Sequence, residues 1–374
     1  EAFNTMSNDL SARMFELRKT GQELRESSQL LSTVFGSMIE GVIAVDNDEN
    51  ILFANEAASE LLDFGDRDVT GRPVWECVRS DTVRTVVREA MSGQERFAEC
   101  QLPRNETIVE IEATPLTQDP CTGVVLVFHD VTELRRLENI RREFASNVSH
   151  ELKTPLTIIQ TSAETLLDGA VDDTEFARRF LNRIDEQGHK LHDLIEDLLQ
   201  LARIESREQA FDLTSVSVCQ TADLLVDELT ALSEARNVSL EVDTSADDVN
   251  VKADERGLQT ILENLLSNGL KYTPEGGRVG ISWTSDAAHA LISVRDNGVG
   301  ISRENQARIF ERFFRADKAR TREIGGTGLG LAIVKHLASS FKGEVTVESE
   351  VGRGSTFTLR IPLWQKAGES PMHS

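Results

Sequence analysis

Residues 144–157 read F-A-S-N-V-S-H-E-L-K-T-P-L-T, and this stretch decides how the chain is organised. Before and through it, apolar residues recur three or four positions apart: Leu134, Leu137, Ile140, Phe144, Val148 and Leu152. This spacing predicts one face of an amphipathic helix. His150 lies two residues beyond Val148, so its ring is predicted to face solvent. Pro155 lacks an amide proton and is predicted to bend the helix just after that ring.

The His150-Glu151 pair can carry chemistry, although a surface His beside a Glu on a helix is usually inert. An exposed imidazole titrates near neutral pH and is then partly a neutral nucleophile. A neighbouring carboxylate can hold its tautomer and accept a proton. The string closely resembles the H-box of sensor histidine kinases, which implies that His150 accepts phosphate from ATP and that Glu151 polarises its ring. Thr154 completes an H-E-x-x-T pattern that in the family positions water for dephosphorylating a response regulator; the alternative is a plain helix-surface Thr.

Length and charge bound the remaining function classes. The chain has 374 residues, enough for two or three domains, and a formal net charge of −23. Such an acidic balance argues against nucleic-acid binding. Its 4 cysteines show no C-x-x-C spacing, which indicates a reducing compartment without a disulfide framework or zinc site. No apolar run is long enough to cross a bilayer. Because the sequence starts at Glu1 in helix-like sequence, we expect the soluble part of a longer protein.

The first 134 residues contain two different patterns. Residues 1–30 are polar with apolar positions mostly three, four or seven apart, so we expect a dimeric coiled coil or a frayed chain end; they weakly resemble the tail of a HAMP linker. Over 31–134, short strands are predicted instead, with a turn and a short helix. The predicted strands are 41–45, 51–53, 108–112 and 123–128, the turn is 47–50 and the helix is 55–62.

Three stretches of this second segment, G-V-I-A-V-D, I-L-F-A-N-E-A-A and V-F-H-D-V-T-E, together resemble a PAS sensor domain. The resemblance implies that Asp130 and Thr132 pass a signal to the following helix. His129 and the cysteines match no haem or flavin pattern. We therefore expect an empty or small-ligand pocket, with an unknown signal acting at this domain or upstream.

Residues 135–208 are predicted to form a helical hairpin. A turn is expected over 166–173, and Asp173 or Thr174 can cap the second helix. The apolar face of that helix is formed by Phe180, Ile184, Leu191, Leu194 with Ile195, Leu198 and Leu201. One hairpin cannot bury two such stripes, so two chains are expected to form a four-helix bundle as a homodimer. This matches the dimerisation and phosphoacceptor domain of the kinase family.

Over 209–364, strands and helices alternate and four clusters bear chemistry. Asn264, Asn268 and Lys271 fall on one helical face, where amide oxygens can hold Mg²⁺ and the ammonium can meet phosphate. A strand leads into Asp296 and a D-N-G-V-G turn, where a carboxylate can accept a hydrogen bond from an exocyclic amine. The glycine-rich stretch 325–331 precedes a helix and suits anion binding. The fourth cluster, 352–357, is a turn before a strand.

In their order and spacing, these clusters resemble the N, G1, G2 and G3 boxes of the histidine-kinase ATP-binding domain, an α/β sandwich shared with Hsp90, gyrase and MutL. Residues 310–315 match the F-box. The resemblance implies that Asn268, helped by Asn264, ligates Mg²⁺. It implies that Lys271 and Arg315 meet the phosphates, that Tyr272 packs by the nucleotide, and that Asp296 bonds the adenine amine. It implies that the nucleotide pocket and its lid are shaped by Gly298, Gly300, Gly326, Thr327, Gly328, Leu329 and Gly330. The lid itself is expected over about 303–327. Gly269 departs from the family's usual alanine, at a helix-propensity cost of about 1 kcal/mol.

The fold class predicted is therefore multidomain α+β: a PAS α/β sensor fold, a dimeric four-helix-bundle hairpin and an α/β-sandwich ATP-binding domain, followed by a disordered tail over 365–374. The function implied is autophosphorylation of His150 with ATP and Mg²⁺, then transfer to an aspartate of a separate response regulator. The family also implies the cytoplasmic region of an inner-membrane sensor. Two alternatives stay open: an Hsp90- or MutL-type ATPase using water, and a PAS-mediated scaffold without enzymatic activity.

Overall fold

The fold is described from a computed structural model. The described residues are 19, 21–22, 33, 35–65, 67–102, 106–116, 121–169, 173–205, 211–243, 248–316 and 326–365. They divide into two compact units, with the boundary between Glu143 and Phe144. The predicted coiled coil over 1–30 and the predicted tail lie almost wholly outside the described residues, as do 317–325 of the predicted lid. Among the described helices, none is long and apolar enough to span a membrane.

In the first unit, the described residues 41–130 form a five-stranded antiparallel sheet with three short helices. Its strands are β1 Gly41–Asp46, β2 Ile51–Ala54, β3 Arg96–Gln101, β4 Ile108–Pro115 and β5 Gly123–Asp130, in the order β2-β1-β5-β4-β3. Its helices are α1 Glu56–Leu61, α2 Val74–Cys77 and α3 Asp81–Ala90. The four predicted strands and the predicted helix after the second strand are confirmed. β3 and the helices α2 and α3 were not predicted.

The core of this unit lies between the helices and one face of the sheet. Strand β4 alternates in burial because successive side chains point to opposite faces, so Val109, Ile111 and Ala113 are fully buried. Helix α1 begins after Asn55, whose side-chain oxygen accepts from the backbone N–H of Ala58 at 2.9 Å. The hydrophobic residues of α3 face the sheet at helical spacing: Val83, Val86, Val87 and Ala90.

The hairpin consists of α4 Thr132–Leu167 and α5 Thr174–Glu205, as predicted. Asp173 caps α5, since its Oδ1 accepts from the backbone N–H of Glu175 and of Phe176. The predicted apolar stripe of α5 is more buried than its flanks, with Leu194 and Leu201 in the core, although Ile195 is exposed. The second chain of the predicted bundle would have to cover the apolar residues left exposed on the hairpin.

The remaining part of the second unit is an α/β sandwich, the predicted fold class. A five-stranded sheet has the order β11-β12-β10-β9-β7, and β6 pairs with β8 separately. The strands are β6 Thr214–Ser217, β7 Ser239–Val242, β8 Asn250–Ala253, β9 Arg278–Ser285, β10 His289–Asp296, β11 Glu344–Glu350 and β12 Gly354–Pro362. The helices are α6 Val218–Ala235, α7 Glu255–Tyr272, α8 Arg303–Gln306 and α9 Gly330–Ser340.

The helices α6, α7 and α9 pack against this sheet and form its core. Helix α7 buries Leu258, Ile261, Leu262, Leu265 and Leu266. A fully buried aliphatic side chain stabilises a fold by about 1.5–3 kcal/mol relative to exposure, so this face fixes the rotation of α7. The rotation leaves the opposite, polar face of the helix available for a site.

Candidate phosphoacceptor and nucleotide-binding sites

The His150 side chain is exposed on α4, as the apolar spacing predicted. Among the described residues its ring takes part in no hydrogen bond or ion pair. The hydroxyl of Thr154 donates to the backbone carbonyl of His150 at 3.1 Å, one helical turn earlier. The Glu151 carboxylate lies 3.6 Å from Nη2 of Arg315, so its ion-pair partner in this conformation is that arginine rather than the imidazole.

Helix α7 places the predicted Asn264, Asn268, Lys271 and Tyr272 near its C-terminal half, and all four side chains are half-buried. The Nδ2 of Asn264 donates to the backbone carbonyl of Thr260 at 2.9 Å, which orients the amide. Its Oδ1 then lies so close to Gly330 that a side chain on that glycine would overlap it. The amide oxygen is therefore directed at the start of α9.

Gly269 has a packing reason that the sequence does not reveal. A Cβ at this position would lie 2.9 Å from Cγ1 of Val279 and 3.2 Å from its Cγ2. Those distances are shorter than ordinary carbon contacts, so the glycine lets α7 approach β9 closely. Its helix-propensity cost is offset by this close packing.

Burial shifts the pKa values of Lys271 and Tyr272, at the end of α7. Desolvation lowers the pKa of Lys271, while the nearby Asp193 carboxylate acts in the opposite direction. Desolvation raises the pKa of Tyr272, and the positive charge of Arg315 opposes that shift. Both shifts follow mainly from burial, which disfavours the charged form of each side chain.

Asp296 ends β10 as a buried carboxylate, with 8% of its surface exposed. Its Oδ1 accepts from the backbone N–H of Gly298 at 2.8 Å and of Ser355 at 3.2 Å. Burial raises the pKa of Asp296, and these two hydrogen bonds lower it in part. Every hydrogen bond that described residues make to this carboxylate goes to Oδ1. Its Oδ2 is therefore left to accept from something else.

The glycines after Asp296 are required by close backbone approach. A Cβ on Gly298 would lie 2.5 Å from the carbonyl oxygen of Tyr272, which links the D-N-G turn to the end of α7. Gly300 has φ +70°, a left-handed conformation that disfavours side chains, and a Cβ there would overlap the carbonyl of Glu350. The G1-like turn is thus held between α7 and β11.

The glycine-rich segment 326–330 leads into α9 as predicted. The backbone N–H of Phe313 donates to the carbonyl of Gly328 at 2.8 Å, so the F-box-like segment is tied to this loop. The hydroxyl of Thr327 accepts from the N–H of Leu329 at 3.2 Å and donates to Oδ2 of Asp197 at 2.5 Å. Leu329 is fully buried and anchors the loop, whereas Gly326 is exposed.

The structure thus brings together side chains from α7, the end of β10 and the start of α9, which lie far apart in sequence. Sequence reasoning missed Ser355, whose N–H holds Asp296, and the two α5 carboxylates Asp193 and Asp197. Ser355 lies within the predicted fourth cluster, so that motif carried a usable signal. The two aspartates carried none, because acidic residues on the polar side of a helix usually face solvent.

Three families match successive parts of the chain. The "PAS fold" matches residues 35–136 and the "His Kinase A (phospho-acceptor) domain" matches residues 140–207. The family described as "Histidine kinase-, DNA gyrase B-, and HSP90-like ATPase" matches residues 253–365. His150 lies in the second of these matches, and the predicted nucleotide residues of α7, β10 and α9 lie in the third.

Characterised relatives resemble the chain over most of its length. The sensor-like histidine kinase SenX3 of Mycobacterium tuberculosis is 38% identical over 338 residues, covering 90% of this chain and 80% of the relative. The phosphate regulon sensor protein PhoR of Pseudomonas aeruginosa is 34% identical over 329 residues, covering 88% of this chain and 73% of the relative. A solved histidine kinase, ThkA in complex with the response regulator protein TrrA, is 22% identical with a TM-score of 0.49, covering 86% of this chain and 95% of that one. On its sequence relatives and its three matched families, the chain belongs to the sensor histidine kinases, the ATP-dependent protein-histidine kinases of two-component systems.

Proposed function

We propose that the chain phosphorylates itself on His150 with ATP and passes the phosphoryl group to an aspartate of a response regulator. The observation that carries this assignment is the exposed His150 ring, which makes no hydrogen bond or ion pair with the described residues and lies on a helix of the same compact unit as Asp296. An imidazole nitrogen that no other group engages is available as a nucleophile.

The Asp296 pocket fits adenine. Oδ1 is held by two backbone N–H groups, and Oδ2 can accept from the exocyclic amine of the base. Gly298 is required beside this carboxylate, since a side chain there would overlap the carbonyl of Tyr272 and Oδ1 of Asp296. Tyr272 would pack by the nucleotide, and the glycine-rich loop before α9 would take the phosphates at a helix N-terminus.

The chemistry of the α7 face fits Mg²⁺. Hard divalent cations prefer oxygen ligands, and Asn264 and Asn268 offer amide oxygens one helical turn apart. The orientation of the Asn264 amide supports this fit, because Nδ2 is committed to Thr260 and the oxygen faces the phosphate loop. A Mg²⁺ ion bound there would supply positive charge to the phosphates, and Lys271 would supply more.

The γ-phosphoryl group passes from ATP to His150 in a single displacement. A neutral ring nitrogen of His150 attacks the γ-phosphorus, the bond from that phosphorus to the bridging oxygen breaks, and ADP leaves. The other ring nitrogen keeps its proton until Glu151 accepts it, which leaves a neutral imidazole ring bearing the anionic phosphoryl group. For this step the ATP-binding part must move relative to α4, and the Glu151–Arg315 ion pair must open. Arg315 would then be free to meet the phosphates.

We further propose a homodimer in which two hairpins form a four-helix bundle. Large apolar side chains of the hairpin are exposed in a single chain, among them Leu156, Leu167, Phe176, Leu181 and Leu199. A second copy would bury such a surface. From the family resemblance we also infer that this chain is the cytoplasmic region of an inner-membrane sensor, and that the PAS domain receives or relays an unidentified signal.

The kinase assignment is tested by incubation with γ-labelled ATP and Mg²⁺. The parent should acquire acid-labile, alkali-stable label, and His150→Gln should acquire none. His189→Gln is the matched control, because His189 is an exposed histidine on α5 whose partner is Asp185. ATP turnover without protein-bound label, unchanged in His150→Gln, would instead support the ATPase class. Nucleotide binding with neither turnover nor label would support a scaffold.

The phosphatase assignment of Thr154 needs a separate test. Thr154→Ala should retain autophosphorylation while losing dephosphorylation of the phosphorylated regulator. Thr161→Ala is the control, because the Thr161 hydroxyl makes the same one-turn backbone hydrogen bond, 2.9 Å to the carbonyl of Thr157. Equal loss of both activities in Thr154→Ala would count against a specific role, as would equal behaviour of the two variants.

A further inference from the structure

Two side chains of the proposed phosphate site, Arg315 and Thr327, contact carboxylates of the hairpin. Nη2 of Arg315 is 3.6 Å from Oε2 of Glu151, and the Thr327 hydroxyl is 2.5 Å from Oδ2 of Asp197. Burial lowers the pKa of Lys271, and the charges of Asp193 and Asp197 oppose that shift. Carboxylate oxygens thus occupy the Arg315 guanidinium and the Thr327 hydroxyl, to which phosphate oxygens would otherwise bind.

The contact between hairpin and nucleotide site is a packed surface rather than one ion pair. The rings of Phe144 and Phe313 are 5.8 Å apart, and the Arg312 guanidinium lies 5.4 Å from the Phe144 ring centre. Further along, Gln200 donates to the hydroxyl of Thr260 at 3.1 Å. Phe144 and Leu152 of α4 and Leu194 and Leu201 of α5 pack in the same core as the ATP-binding part. We call this arrangement the docked conformation.

Asp197 reaches the loop that leads into α9 through its hydrogen bond from Thr327. Its partner Thr327 accepts from the N–H of Leu329 just before α9, so the carboxylate lies at the positive end of that 11-residue helix. A phosphate and a carboxylate are both acceptors for a hydroxyl, an ammonium and a helix N-terminus. Two anions at that point would repel each other.

We propose that Asp197 is an internal competitor of the ATP phosphates, so that the docked conformation and the ATP-loaded kinase exclude each other. The proposal rests on the nucleotide site proposed above and adds a control that lies in the hairpin. In the docked conformation Glu151 also forms an ion pair with Arg315. Glu151 is then not available to accept the His150 proton, and Arg315 is not available to bind phosphate. An incoming signal that loosens the hairpin would therefore raise ATP loading and free Glu151 together. Burial raises the pKa of Asp197, with the Thr327 hydrogen bond opposing it, in keeping with a carboxylate held away from water.

The first test is equilibrium binding of ATP and of adenosine to the full chain, by calorimetry, for the parent, Asp197→Asn and Glu196→Gln. If the docked conformation holds most of the molecules, removing the competitor should tighten ATP binding by about 3- to 10-fold. Adenosine lacks phosphates and should gain much less. Glu196 is the exposed neighbour on α5, so its variant controls for the change in net charge. Equal ATP affinity in the parent and Asp197→Asn would overturn the proposal.

Hydrogen exchange provides a second readout that does not depend on the variant. ATP should increase amide exchange in peptides covering residues 191–201 of the parent, because loading would release α5. Asp197→Asn should show raised exchange there already without ATP. ATP binding that leaves exchange in this segment unchanged would refute mutual exclusion.

Kinetics separate competition from a structural defect. In Asp197→Asn the KM for ATP in autophosphorylation should fall with little change in kcat, whereas a damaged fold would lower kcat. If neither the parent nor the variant binds ATP or adenosine, the proposed nucleotide site itself fails, and this proposal with it. If both bind ATP alike, only the competitor role of Asp197 fails.

Discussion

Replacement of Asp296 by asparagine tests the nucleotide site with almost no change of shape. Oδ1 of Asp296 accepts from two backbone N–H groups, those of Gly298 and Ser355. An asparagine must keep its oxygen at that position, since the opposite flip would set its NH₂ against two donors. Its nitrogen then replaces Oδ2 and presents hydrogen atoms to the pocket.

The expected loss of affinity follows from the hydrogen bond that the change removes. A hydrogen bond to a charged group contributes about 1.5–3 kcal/mol, and each 1.4 kcal/mol is about tenfold in affinity. Asp296→Asn should therefore weaken binding of ATP about 10- to 150-fold. The adenine amine would also meet a second donor, so the true value should lie toward the upper end. Adenosine should be weakened by a similar factor, because the contact is to the base.

The same substitution should not destabilise the protein. Burial is the main cause of the raised pKa of Asp296. Because the folded-state pKa lies above the unfolded-state pKa, the favourable contribution is present below the unfolded pKa and is lost as the pH rises through the folded one. Above the unfolded pKa this shift opposes folding, so at pH 7 Asp296→Asn should unfold at the same or a higher temperature than the parent.

Asp286→Asn is the matched control, because Asp286 is exposed and its pKa is lowered, chiefly by accepting from the N–H groups of Ala288 and His289. Its contribution to stability is present above the unfolded pKa and is lost as the pH falls through the folded one. The control should therefore bind ATP normally and lose a little stability at pH 7 but not in acid. Titration calorimetry at neutral pH and thermal unfolding between about pH 2 and about pH 8 check both variants. Binding by Asp296→Asn within twofold of the parent, or a fall in its stability large enough to explain weak binding, would refute the reasoning.

Two further predictions concern packing at particular residues. Gly330→Ala should abolish measurable ATP binding by calorimetry, because its Cβ would overlap Oδ1 of Asn264. The control is Gly188→Ala in α5, where no atom lies within 4 Å of the added Cβ. It should raise the free energy of unfolding in urea denaturation by about 0.5–1 kcal/mol. Asn55→Ala should destabilise the first unit by about 2–4 kcal/mol, since its side chain makes four hydrogen bonds to buried or half-buried backbone groups. Amide hydrogen exchange in β1 and α1 should rise as a result. Asn50→Ala, which loses a single 3.4 Å side-chain contact, should change that exchange little, and similar effects of the two asparagine variants would contradict the assignment.

Local patterns predicted the element types where periodicity was strong. The apolar spacing of α4 predicted an exposed His150, and Asp173 was predicted as a possible cap of α5; the structure has both. Helix α3, which was not predicted, also carries a helical pattern with Ser80 as its cap, so the sequence contains a usable signal for it. The short strand β3 is harder to predict from the sequence, because it lies half-exposed at the edge of the sheet and its apolar alternation is weak.

The sequence by itself determined the chemistry: which side chains can attack phosphorus, hold a cation or accept from an adenine amine. These properties depend on residue type and near spacing, and both can be read along the chain. Only the tertiary structure decided which distant groups face each other. Asp197 and Thr327 are 130 positions apart, and Gly269 meets Val279 on a neighbouring strand. Because such contacts depend on how helices and strands pack, an acidic residue that looks like solvated surface in the sequence becomes a partner of the phosphate loop in the fold.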